Sequence, residues 1–226
     1  MLKKSSFDFL TGLAENNTKE WFDKHRDDYQ ATHDDFTLFN QDLIDAISKF
    51  DKEIAESDLQ GKDCIPRLNR DLRFTKDKSP YKTYYYSIIN KGGRKSGNAG
   101  YFIVLKPGEC CIGAGEYQPE PKRLKKVRQE IEYNFEEWQK IAQDGKLLKA
   151  FPDGIIAQET LQKVPNGFDT DSPAKEFLKM KGFFVQRHYP DSFFRVRDNF
   201  NTIIESFKTC QKINEFVNSI EDETAK

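Results

Sequence analysis

The sequence predicts an α+β fold in a single domain: a mainly antiparallel sheet packed by N-terminal helices and a long C-terminal helix. Three observations lead there. Apolar residues recur at steps of three and four near both ends of the chain. Between Cys64 and Tyr117 that spacing gives way to β-favouring residues gathered between turn signals, with connections too short for crossover helices. Finally, 19 Phe, 9 Tyr and 2 Trp among 226 residues can fill a core without staples. One domain is expected over residues 1–226, with its core at about 5–218 and an acidic tail from Glu221.

At the N-terminus, Ser5 stands three residues before Asp8 in a capping-box pattern, and Phe9, Leu10 and Leu13 form a short helical stripe that stops at Asn16-Asn17. Asn17 is the expected cap of a second helix, with Glu20 at its third position and Trp21, Phe22 and Tyr29 as its aromatic contacts. Phe36, Phe39, Leu43, Ile44, Ile47 and Phe50 mark a third. From Ile65 to Phe74 the chain can run partly extended, which would place Arg67, Asp71 and Arg73 on one face and Arg70 on the other. Thr75–Pro80 reads as a turn, because Pro80 pushes Ser79 away from helix and Asp77 is a good turn former. Strands are expected over Tyr81–Asn90, Gly100–Lys106 and Cys110–Tyr117, with a flexible connection across Lys91–Asn98.

Pro119 and Pro121 open another helix, whose buried side is marked by Leu124, Val127, Ile131, Phe135 and Trp138. Its first turns carry Lys122, Arg123, Lys125, Lys126 and Arg128, a placement that opposes the helix dipole. A solvated, screened face is favoured there over a second anion contact. Residues 147–168 are interrupted by Pro and Gly and read as short strands and loops. A short helix over Pro173–Lys181 and a strand over Phe183–Tyr189 follow. Val196, Phe200, Ile203, Phe207, Cys210, Ile213 and Val217 define the closing helix.

Function is sought in the charge distribution. Residues 1–65 carry eight basic and fifteen acidic groups, whereas residues 66–95 carry nine and two. The excess peaks in RLNRDLRFTKDKSPYKT, Arg67 to Thr83, where Arg67, Arg70, Arg73, Lys76, Lys78 and Lys82 are opposed only by Asp71 and Asp77. Guanidinium groups offer fixed forks of donors matched to carboxylate or phosphate, and lysines add mobile point charges. The expected ligand is therefore a phosphorylated or otherwise anionic small molecule, gripped by Arg67, Arg70, Arg73, Lys78 and Lys82 beside Tyr81, with Asp71 and Asp77 orienting the arginines.

Two alternatives come from other classes. One is a nucleic-acid-binding module using the same strip with Arg94, Lys95 and the Lys122–Arg128 helix, and a pI near 6.4 weighs against it. The other is a structural or protein-interaction domain in which an internal Arg-Asp network fixes a loop. Tyr81, Tyr84, Tyr85 and Tyr86 could stack on bases or sugars, although ordinary cross-strand packing is the preferred reading.

The sequence names neither a catalytic residue nor a cofactor. Arginines beside Asp71 and Asp77 would keep both carboxylates weak bases. His25, His33 and His188 lack metal-ligand spacing, so no metal is expected. Cys64, Cys110, Cys111 and Cys210 form no C-x-x-C pair, and there is neither a signal-peptide run nor an apolar stretch able to span a bilayer. A cytoplasmic protein without a membrane partner is expected.

With these segments in order, the chain resembles the domain-of-unknown-function family 2461, a set of conserved hypothetical proteins. The likeness runs through FLTGLAENNTKEWFDKHRDDY, RLNRDLRFTKDKSPYKT, GYFIVLKPGECCIGAGEYQP, LKKVRQEI and DSPAKEFLKMKGF. The central block is the most specific. The resemblance implies one intact domain with Arg70, Asp71, Arg73, Phe74, Asp77, Lys78, Pro80, Tyr81 and Lys82 as hallmarks, and no assigned activity. His25 departs from the Asn of the WF-x-x-N-R pattern, which argues against a catalytic role for its imidazole.

Overall fold

A computed structural model describes residues 1–73 and 75–220, without the side chain of Lys95. The hallmark Phe74 and the acidic tail from Glu221 lie outside the described residues. The chain is α+β. In order it forms α1 (Lys4–Glu15), α2 (Lys19–Lys24), α3 (Arg26–Ile47), α4 (Lys52–Ala55), β1 (Tyr85–Ile89), β2 (Gly100–Leu105), β3 (Cys111–Glu116), α5 (Pro121–Tyr133), α6 (Phe135–Ala142), α7 (Gly145–Ala150), α8 (Lys175–Leu178), β4 (Phe183–His188) and α9 (Asn199–Asn218). The strands make an antiparallel sheet in the order β1-β2-β3-β4. Two compact units are distinguished: Met1–Arg94 with Phe102–Ile112 and His188–Ile204, and Lys95–Tyr101 with Gly113–Arg187 and the chain from Glu205 onward.

In the first unit, α3 buries Phe36, Phe39, Leu43 and Ile47. Each such side chain contributes about 1.5–3 kcal/mol relative to exposure. Phe36 meets Tyr85 of β1 at 5.5 Å between ring centroids. The first helix is not capped by Ser5 as the sequence suggested. Buried Asp35, from α3, instead accepts from the Lys3 N–H (2.8 Å) and the Ser6 hydroxyl (2.6 Å), so a distant carboxylate satisfies donors at the start of α1. The second cap also shifts by one residue: the Thr18 hydroxyl accepts from the Trp21 N–H, which releases Asn17 for another task. Gly12 leaves α1 bare where Trp21 lies on it, since a Cβ there would come within 2.9 Å of Trp21 Cζ2.

In the second unit, Trp138 of α6 is fully buried. It meets Phe183 of β4 edge-on at 5.7 Å and Phe216 of α9 at 4.9 Å. Beside this core, β3 and the start of β4 approach so closely that a Cβ on Gly115 would sit 2.3 Å from the Phe183 carbonyl oxygen. Gly115 also has φ +115°, which a side chain would strain.

The screened basic face expected on α5 is corrected at two positions. Arg123 and Arg128 are buried. Arg123 Nε donates to Glu116 Oε1 at 2.5 Å, and its Nη2 donates to the Val217 carbonyl oxygen at 3.1 Å near the end of α9. Arg128 Nη2 donates to the Met180 carbonyl oxygen at 2.7 Å. Each arginine finds a protein acceptor, so its charge serves the interior. The stretch from residue 147 begins inside helix α7, because the Asp144 carboxylate accepts from the Lys146 and Leu147 N–H groups. Val196 precedes α9 and is exposed.

Candidate functional site

The basic segment folds as a short hairpin within the first unit. Leu68–Arg70 faces Pro80–Lys82 through Arg70 N to Pro80 O (2.9 Å), Lys82 N to Leu68 O (2.7 Å) and an antiparallel bridge between Asn69 and Tyr81. Past Arg70 the ladder ends, and the predicted alternation of Arg67, Asp71 and Arg73 on one face does not continue. The reason is local. Asp71 accepts from the Arg73 backbone N–H (3.1 Å), and Asp77 accepts from both the N–H and the hydroxyl of Ser79, so two aspartates bend the chain that a strand would keep straight.

Asn17 fixes the hairpin's base. Its side-chain amide donates to the Tyr81 carbonyl (2.8 Å) and accepts from the Tyr81 N–H (3.1 Å), reproducing the two bonds a neighbouring strand would make. The Tyr81 ring stacks on Phe22 at 4.0 Å and 13°. Phe22 in turn meets Tyr29 at 4.9 Å and Phe9 at 6.4 Å. Tyr81 is therefore a buried anchor of the hairpin. Sequence reasoning had placed Asn17 at a helix cap. The available signal was the adjacent Thr18, an equally good cap that leaves the Asn amide unassigned.

The hairpin's ion pairs are local and wet. Arg70 pairs with Asp77, its side chain 25% and that of Asp77 60% exposed. Arg73 grips Asp71 through Nε (3.0 and 3.1 Å) and Nη2 (2.6 Å), with exposures of 76% and 58%. Both carboxyls are held below their usual range: Asp71 chiefly by Arg73, and Asp77 by the Ser79 hydroxyl and N–H first and by Arg70 after them. That lowering makes each carboxylate a weaker base. Lys78 Nζ donates to the Leu72 carbonyl (3.0 Å).

Lys82 lies within electrostatic reach of two arginines. Its Nζ donates to the Arg67 carbonyl (2.9 Å), and its pKa is lowered by burial first and then by the nearby charges of Arg67 and Arg70. The Arg67 side chain is exposed and its guanidinium makes no hydrogen bond or ion pair with another described residue. The charges of Arg67 and Arg70 thus both reach Lys82, and the carboxylate that Arg70 holds comes from Asp77.

The remaining tyrosines divide by face. Tyr85 is buried against Phe36 and His33. Tyr84 and Tyr86 are half-buried, their ring centroids 6.1 Å apart, and Lys82 Nζ lies 5.8 Å from the Tyr86 ring. His25 is stacked on Trp21 at 3.9 Å with its Nδ1 2.8 Å from the Trp21 carbonyl. Burial pushes the thiols up, Cys64 to about 12 and Cys111 to about 11, which leaves them protonated and unreactive near neutral pH. Among the described residues, no group of His, Cys, Asp and Glu is arranged to hold a metal ion, and no helix is long and apolar enough to cross a membrane.

No curated protein and no solved structure matches the chain. The model of the family described as conserved hypothetical protein (DUF2461) matches residues 5–216, which include α1, the whole hairpin and most of α9. By that match over nearly its full length, the chain belongs to the DUF2461 family.

Proposed function

We propose that this protein binds a phosphorylated or otherwise anionic small molecule at the 67–82 hairpin, in the cytoplasm. One observation carries the reading: Lys82 Nζ is bonded to the Arg67 carbonyl within reach of the charges of Arg67 and Arg70, and the carboxylate paired with Arg70 is that of the exposed Asp77. An anion seated there relieves like-charge repulsion and favours the protonated form of Lys82. The cytoplasmic setting draws support from four buried free cysteines.

Calorimetric titration with sulfate and with sugar phosphates at low salt tests the reading. Wild type is expected to bind, and Arg67→Ala to bind more weakly while melting at the same temperature. No binding of any anion at low salt defeats it. Arg70→Ala distinguishes a ligand site from a purely structural network: a folded variant with reduced anion affinity supports the site, whereas an unfolded one favours the network.

A further inference from the structure

The hairpin does not end at its charges. Beyond Lys82 the chain enters β1, whose residues face two ways: Tyr85, Ser87 and Ile89 are buried, and Tyr86 and Ile88 are half-buried, as is Tyr84 just before the strand. Lys82 bridges the cationic cluster and the aromatic pair. Its Nζ bonds to the Arg67 carbonyl at 2.9 Å and stands 5.8 Å from the centroid of Tyr86. The Tyr84 and Tyr86 rings are 6.1 Å apart and inclined by 33°. An anion at Lys82 therefore brings whatever it is attached to close to the Tyr86 ring, which Tyr84 neighbours. Arg94, also in the first unit, reaches Tyr86 electrostatically while its Nη1 donates to the Asp63 carbonyl.

Resting on the anion-binding reading above, we infer that the occupant is a nucleotide, with its phosphate held by Arg67, Arg70 and Lys82 and its base against the rings of Tyr84 and Tyr86. Aromatic side chains stack on every base, since each presents a π-face, so this surface selects for a base without choosing which one. Exposed carboxylates argue for a small ligand over a strand of nucleic acid. Asp71 and Asp77 are 58% and 60% exposed on the hairpin itself, and Asp27 and Asp28 are exposed at the start of α3 in the same unit. A mononucleotide presents little charge to these carboxylates, whereas a continuous polyanion running past the hairpin meets the exposed Asp71 and Asp77.

The experiment compares orthophosphate, ribose 5-phosphate, adenosine monophosphate and a single-stranded oligonucleotide by calorimetry on the full chain at low salt. Adenosine monophosphate is expected to bind about ten-fold or more tightly than ribose 5-phosphate, the margin set by one stacked base. Tyr86→Leu and Tyr84→Leu, each checked for an unchanged melting curve, should erase that margin and leave ribose 5-phosphate affinity as it was. Equal affinity of wild type for the two phosphates overturns the nucleotide while leaving the anion site standing, and this comparison requires no variant to fold. An oligonucleotide that binds more tightly than the mononucleotide, with a steep loss in salt, overturns it in favour of a nucleic-acid surface. Failure of all four probes removes both the inference and the site beneath it.

Discussion

Two arginine–carboxylate arrangements, one in each unit, show how differently the same chemistry can be used. In the second unit, Arg123 and Glu116 are 6% and 5% exposed, and the arginine also donates to the Val217 carbonyl and to Asn218 Oδ1 (3.5 Å). Asn218 in turn holds Ala99 by both its backbone groups, at 2.9 and 3.1 Å. That pair knits α5, β3, α9 and the start of β2 into one network. In the hairpin of the first unit, Arg70–Asp77 and Arg73–Asp71 join residues seven and two apart, in water. Removing one partner of a buried pair strands a charge, while a solvated pair can exchange its carboxylate for another anion at small cost. Burial thus assigns one pair to stability and leaves the other open to binding.

The contrast can be broken in order of size. Arg123→Ala should cost about 3–5 kcal/mol in denaturant unfolding, because Glu116 is left charged in the interior. A loss under about 1 kcal/mol would mean that water reaches the pair and that the two arrangements do not differ in kind. Asn17→Ala comes next. It deprives the Tyr81 N–H and carbonyl of their partner, costs about 1–3 kcal/mol, and should weaken anion binding by loosening the hairpin without removing a charge. An unaltered affinity in that variant would show that the cations hold their positions unaided.

Asp77→Asn is the smallest change and the sharpest. It should raise phosphate affinity about three-fold, the effect of removing one charge some 6 Å away in a highly solvated setting, with little movement of the melting curve. The pH dependence has a defined sign. Lys82 must be protonated to help hold an anion, and its pKa is lowered in the folded protein, so affinity should decline as pH rises through a range below that of an ordinary lysine. Lys82→Arg should carry that decline out of reach. Without ligand the linkage runs the other way: between the lowered and the ordinary lysine pKa the unfolded chain binds more protons, and stability rises with pH.

Much of this architecture was legible where a residue's neighbours in sequence decide its fate. The stripe from Phe36 to Ile47 and the spacing from Phe200 to Val217 fall in α3 and α9, and the strand segments containing Tyr85, Ile103 and Ile112 fall in β1, β2 and β3. Turn chemistry at Asp77 and Pro80 was visible for the same reason. What sequence could not show is the use of polar groups over long separations. Asp35 satisfies donors of a helix 29 and 32 residues away, Asn17 pairs with backbone 64 residues on, and Arg123 bonds a carbonyl 94 residues later. A basic residue near a helix start reads as surface charge until a tertiary acceptor is known, and Arg123 and Arg128 misled for that reason. In the hairpin, charge excess marked a candidate segment, while the separation of Tyr81 as anchor from Tyr84 and Tyr86 as half-buried faces needed coordinates.

The placement of the two indoles has a practical consequence. Trp21 is half-buried on α2, next to His25 and the aromatic cluster on which the hairpin rests, whereas Trp138 is sealed in the core of the other unit. Each unit therefore has its own fluorophore. Acrylamide should quench the first and spare the second, and a Trp138→Phe variant would leave a single emission signal reporting on the neighbourhood of the hairpin alone.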